Sequence, residues 1–253
     1  MAIKYLRRLT GHKRDLQADR HLGYSLAFIA GAMNAGGFLA IGQYTSHMTG
    51  IVSSMADATA LGESWVVLAG FVSVLAFLAG AATTALLINW AKRRSLRSRY
   101  ALSLLLEAAL LLLFGLAGAY LAEVREFLAP ATVLLLCYIM GLQNAIITKI
   151  SGAVIRTTHV TGLSTDIGIE LGKLFYVNRK STPQPAVLAN RDKLKLHTIL
   201  LSSFCVGGIV GAVGFKRIGF IATIPLSVWL MVLATVPILD DFRYRWRLLY
   251  RRR

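Results

Sequence analysis

The residues able to do chemistry are concentrated in two short polar stretches of an apolar chain. TSHMTG occupies residues 45–50 and TTHVTG occupies 157–162, 112 positions further on. Threonine hydroxyls both donate and accept hydrogen bonds. A histidine donates, accepts or carries a proton. Thr45, His47, Thr49, Thr157, His159 and Thr161 are therefore the first candidates for lining a path for a polar solute. Each hexamer belongs to a longer ordered set. GAMNA (31–35) precedes the first and GLQNA (141–145) the second, placing Asn34 13 residues before His47 and Asn144 15 before His159. Asp57 and Asp166 follow the histidines at distances of 10 and 7. The order Gly, Asn–Ala, Thr-x-His-x-Thr-Gly, Asp thus occurs in both halves of the chain.

Glu107 stands apart from both sets, in the run LSLLLEAALLLL. A carboxylate inside a membrane is costly and usually faces protein or water, where it marks function. The alternatives are an acid reaching back to Arg97 or Arg99, or a protonated one.

The elements that must hold these groups are membrane helices. The chain has 253 residues, 56% hydrophobic and 16% charged, with mean hydropathy +0.60 and net charge +16. A soluble domain carries about 25% charged residues. Six apolar runs, 22–41, 65–89, 101–122, 131–147, 198–215 and 218–238, approach or exceed the length needed to cross a hydrocarbon core about 30 Å thick. Two shorter helices, 49–61 and 159–176, follow the hexamers. The first is too short to span upright. The second reads as amphipathic, with Leu163, Ile167, Leu171, Leu174 and Phe175 set against Asp166, Glu170 and Lys173.

Charge sets the topology. Residues 1–21, 92–99, 178–195 and 240–253 contain 22 of the 28 Lys and Arg residues. With six crossings, all four stretches fall on one side, which the positive-inside rule makes cytoplasmic. The expected fold is an all-α polytopic bundle of about six spanning helices in a 3+3 inverted repeat, with two short half-helices or interfacial helices. Its parts are a basic cytoplasmic segment 1–21, a transmembrane domain 22–238 with halves of about 22–122 and 131–238, and a basic tail 239–253 resting on anionic lipid headgroups. The basic residues lie in gaps between apolar runs, which excludes nucleic acid as the reason for the charge.

Inverted repeats with interrupted segments at matching positions are common in transporters. Two half-helix N-termini meeting inside the protein would favour an anion, a carboxylate or a neutral polar solute. Plain helix capping is the competing reading, and Ser54 with Asp57 has the S-x-x-D spacing of a helix start. Asn34, Gln143 and Asn144 also suit interhelical hydrogen bonding. No third and fourth ligand accompanies the histidines at metal-binding spacing, so no metal or cofactor is expected. Cys137 and Cys205 read as small packing residues. Gly207 and Gly211 have a small-xxx-small spacing that fits close helix packing within the bundle or a homo-oligomer.

GFLAIGQYTSHMTG and MGLQNAIITKISGAVIRTTHVTGLSTDIGIELG resemble the signature blocks of the YoaK-like bacterial membrane proteins, a domain of unknown function. The resemblance covers roughly residues 22–238 and implies an integral protein of the inner membrane. Ile51 departs from the asparagine expected after the first hexamer, which removes a polar role at that position.

Two functions are expected from these readings. The first is a small-solute permease or channel, not an enzyme, with Asp57, Asp166 and Glu107 tuning charge or carrying protons. The second is a non-transporting assembly factor, sensor or scaffold with a dry, packed centre.

Overall fold

A computed structural model describes residues 16–96, 98–121, 125–178 and 185–250. Residues 1–15 of the basic N-terminal segment, Arg97, 122–124, 179–184 and 251–253 lie outside the described residues. The chain runs α1 (Leu16–Ile41), α2 (Met48–Leu61), α3 (Ser64–Arg93), α4 (Ala101–Leu121), α5 (Arg125–Ser151), α6 (Val160–Phe175) and α7 (Arg191–Ile218). A 3-10 turn (Gly219–Ala222) then leads into α8 (Thr223–Tyr250). No strand occurs among the described residues.

Helix ends follow local chemistry. Gly62 takes the left-handed conformation (φ +74°) that ends α2, and the Glu63 N–H closes back on the Ala58 carbonyl at 2.8 Å. Asn190 caps α7 by accepting a hydrogen bond from the Lys193 N–H at 2.9 Å, so this helix starts earlier than residue 198, where its apolar run begins. Helix α5 is also longer than its apolar run, continuing through Pro130 near its start and on to Ser151 at its end. Ser54 and Asp57 are not a helix start. They lie inside α2, which begins at Met48.

Among the described residues, four stretches are long and apolar enough to cross a membrane: Leu16–Leu39, Ser64–Arg93, Ala129–Ser151 and Arg191–Arg243. The last contains α7, the 3-10 turn and most of α8, and a shorter apolar stretch, Ala101–Leu116, lies in α4. Leu68, Phe71, Leu75 and Leu78 of α3 are exposed, as are Val206, Ile209, Val210 and Val213 of α7. Continuous apolar faces of this size belong against lipid. The chain is an all-helical membrane protein.

The bundle is built on helix pairs in close contact. Helix α1 packs on α7, α3 on α5 and α4 on α8, with α1 also touching α5. In the first pair, a Cβ on Gly31 would strike the Phe204 carbonyl oxygen, and one on Gly207 would strike that of Phe28. In the second, a Cβ on Gly80 would strike the Tyr138 carbonyl, and one on Gly141 that of Phe77. Each glycine therefore faces the carbonyl three residues before its partner glycine. Only glycine lets two backbones approach this closely. Between α1, α4 and α5 lie Leu26, Ile29, Met33, Leu104, Leu111, Ile139 and Met140, all essentially inaccessible.

Helix α6 corrects the amphipathic expectation. Glu170 is 2% exposed and Phe175 is 78% exposed, so the acid faces protein and the aromatic faces outward. The Glu170 carboxylate accepts from Lys173 Nζ at 2.9 Å and from the Asn190 N–H at 2.7 Å. Those donors make burial of the acid tolerable.

Candidate functional site

Asn34 lies seven residues before the end of α1, and Asn144 seven before the end of α5. Beyond them the chain leaves the helix, for residues 42–47 in the first half and 152–159 in the second. The unequal spacing from asparagine to histidine is taken up wholly in these links. Gly42 (φ +74°) turns the first, while Gly152 (φ +61°) and Ala153 (φ +68°) turn the second. Ser151 holds the longer link, its hydroxyl accepting from the Ile155 N–H at 2.9 Å.

The two asparagines then secure the two hexamers in the same way. Asn34 Oδ1 accepts from the Ser46 hydroxyl at 2.8 Å. Asn144 Oδ1 accepts from the Thr158 hydroxyl at 2.7 Å, and Asn144 Nδ2 donates to the Met140 carbonyl at 2.9 Å. His47 and His159 occupy the N-cap positions of α2 and α6, but neither side chain makes a capping bond. Each imidazole instead lies over the glycine three residues on, with Nδ1 the atom nearest to where a Cβ on Gly50 or Gly162 would stand. This explains the His-x-x-Gly spacing, since any side chain on that glycine would displace the ring.

Both hexamers open onto one cavity of about 670 Å³. Asn34, Tyr44, Ser46, His47, Met48 and Thr49 line it from the first half. Asn144, Thr148, Arg156, Thr158, His159, Val160 and Thr161 line it from the second, and Phe77 and Phe204 complete the wall. The first intrahelical bonds of α2 and α6 run from Ile51 N–H to His47 O and from Leu163 N–H to His159 O. The N–H groups of residues 48–50 and 160–162 therefore precede the helical ladder, and both positive helix ends face the cavity. Arg156 adds a full charge, and no Asp or Glu among the described residues lines the space.

Of the expected residues, Asn34, His47, Thr49, Asn144, His159 and Thr161 share this wall. Thr45 and Thr157 are outside the lining. They are buried behind it, 1% and 0% exposed, with hydroxyls that have no hydrogen-bond partner. Asp57 and Asp166 are not in the wall either. Asp57 is exposed further along α2. Asp166 pairs with Lys193 Nζ at 2.9 Å, with His197 Nδ1 at 3.7 Å. That hydrogen bond to Lys193 holds the Asp166 carboxyl below the ordinary aspartate range, against a smaller opposing effect of burial. Glu107 does not reach back to Arg99. It is fully buried and accepts from Gln143 Nε2 at 2.8 Å.

Sequence reasoning missed Ser46, Thr158, Tyr44 and Arg156 as lining residues. Their signal was position alone. Ser46 and Thr158 sit inside the hexamers, and Tyr44 and Arg156 immediately precede them. Among the described residues, no three His, Cys, Asp or Glu side chains gather as a metal site would require.

A family model described as "Protein of unknown function (DUF1275)" matches residues 22–236. Neither the curated proteins nor the solved structures contain a match to this chain.

Proposed function

The chain belongs to the DUF1275 family of proteins of unknown function, and from that premise we propose that it is a small-solute permease or channel whose solute passes through the cavity between the two TxHxTG motifs. One observation carries this reading: two sequence-distant polar motifs line a single space with matching geometry. A structural cap would need no shared cavity. The lining offers N–H, hydroxyl and imidazole groups, two positive helix ends and the Arg156 guanidinium, with no carboxylate among the described residues. That chemistry suits a small polar solute and suits an anion best.

The transport reading extends to the architecture. The glycine contacts of α1 with α7 and of α5 with α3 are of one kind. Gly31 and Gly141 occupy the same place in the two sequence sets. These correspondences support a 3+3 inverted repeat of six spanning helices, with α2 and α6 as half-helices. In this arrangement both termini are cytoplasmic, the protein sits in the inner membrane, and anionic headgroups hold its basic ends.

The test is flux into proteoliposomes followed by light scattering, with nitrate, phosphate, lactate, glycerol and urea as probes. Permeation of at least one probe above empty liposomes, lost in His47→Ala/His159→Ala, is the expected result. A folded protein that passes none of them, or a double variant with unchanged flux, contradicts the reading.

A further inference from the structure

Glu107 is an acid buried among the described helices, outside the cavity, and its surroundings are incomplete in a specific way. Gln143 Nε2 donates to Oε1 at 2.8 Å, while Glu107 Oε2 has no partner and neither has Gln143 Oε1. An ionised carboxylate only accepts hydrogen bonds. Ionised, it would leave two buried acceptors unsatisfied and a bare charge in the interior, each at a cost. A proton on Oε2 removes the charge and supplies one donor, beside an amide whose oxygen lacks one. One turn earlier on the same helix, the buried Ser103 hydroxyl is also without a partner, and just before the helix so is Arg99 Nε. Ser103 and Glu107, four residues apart, share a face of α4 and extend from its start toward the bundle centre.

Among the described residues the Glu107 carboxyl meets one hydrogen-bonding group, the Gln143 amide, and no cation pairs with it. The helices packed on α4 carry Lys92 and Arg93 in α3, Lys149 in α5, and Asp241 and Arg243 in α8. The cavity is nonetheless close in sequence. Gln143 is followed directly by Asn144, which lines the cavity and holds Thr158 at its wall.

We propose that Glu107 is a proton-binding site in the membrane interior, and that it loads and releases the proton accompanying solute through the cavity. The coupling half rests on the permease reading above; the proton-site half stands independently. On loading, a proton adds to Oε2 and the carboxylate becomes a neutral acid. On release, the proton leaves and the carboxylate returns.

Two measurements test this on the full chain in liposomes. The first is infrared spectroscopy across a pH series. Wild type is expected to show a carboxylic-acid carbonyl band near neutral pH that falls as pH rises, and Glu107→Gln, which keeps the side-chain shape and adds a donor, is expected to lack it. No such band, or one of constant size into the alkaline range, overturns the proposal. The second is an entrapped pH dye with nitrate, phosphate and lactate as probe anions. Protons entering with an anion in wild type, and falling to the empty-liposome level in Glu107→Gln while anion exchange persists, support the coupling. Anion movement without protons in wild type overturns the coupling and leaves the permease reading intact. If no anion moves, both the permease reading and the coupling fail, and the infrared series alone decides the proton site.

Discussion

The side chain of Asn34 on α1 holds Ser46, twelve residues on, through a 2.8 Å hydrogen bond from the serine hydroxyl to Oδ1. Its counterpart on α5 is the 2.7 Å bond from Thr158 to Asn144. Each bond fixes a non-helical link against the helix it has just left, and so aims the following helix end at the cavity. Asn34→Ala and Ser46→Ala are expected to be non-additive, with a coupling near the ~0.6 kcal/mol average of polar pairs in membrane bundles. Unfolding of the two single variants and the double variant in mixed micelles measures it. Strict additivity would mean the bond does not form.

The glycines divide into two classes. Gly80→Val and Gly141→Val place methyl groups where the opposing backbone stands, so each is expected to cost several kcal/mol and remove the monodisperse peak in size-exclusion chromatography. Gly168→Ala and Gly172→Ala on α6 meet nothing within contact distance. They are expected to be neutral or to stabilise by up to about 1 kcal/mol, the gain in helix propensity.

Arg156 is the charged residue in the cavity wall, and Tyr44 stands at the corresponding place before the first hexamer. Arg156→Gln is expected to slow anionic probes by about tenfold, equivalent to ~1.4 kcal/mol, and to leave glycerol and urea nearly unchanged. Flux ratios across the same probe set report this. An equal loss for charged and neutral probes would assign Arg156 a structural role.

The Asp166–Lys193 pair makes stability depend on pH. Its folded-state carboxyl titrates below the ordinary aspartate value of 3.8. The contribution is therefore complete above that value and is lost as pH falls through the lower folded-state value. Asp166 is 39% exposed and Lys193 41%, so solvent screening keeps the pair's contribution small. The Tm difference between wild type and Asp166→Asn is expected to be constant above about pH 5 and to shrink as pH falls through and below 3.8. A constant difference would place the effect elsewhere.

Much of this protein follows from local sequence. Apolar run length identified membrane helices, because a hydrocarbon layer demands helices of a certain length. The hexamers marked breaks in helix, because Gly42 and Gly152 turn the chain there and α2 and α6 start directly after the histidines. Gly207 and Gly211 were legible as packing residues, and they meet the α1 backbone at Phe28 and Ala32.

Local pattern could not say what faces what. Periodicity set Glu170 against the apolar face of α6, yet the acid is buried because Lys173 and the Asn190 backbone, brought in from the next segment, satisfy it. The repeat paired Asp57 with Asp166, but Lys193 neutralises only the second, and neither reaches the cavity. Sequence allows Glu107 to reach back to Arg97 or Arg99, yet α5 places Gln143 against it and Arg99 does not pair with it, while Arg97 lies outside the described residues. The sequence by itself determined a helical membrane protein with two broken, polar segments, each preceded by an asparagine. Only the tertiary structure decided that these two segments share one cavity, because that depends on α1 packing against α5, and on α3 and α7 supplying Phe77 and Phe204 to the wall, contacts made between residues far apart in the chain.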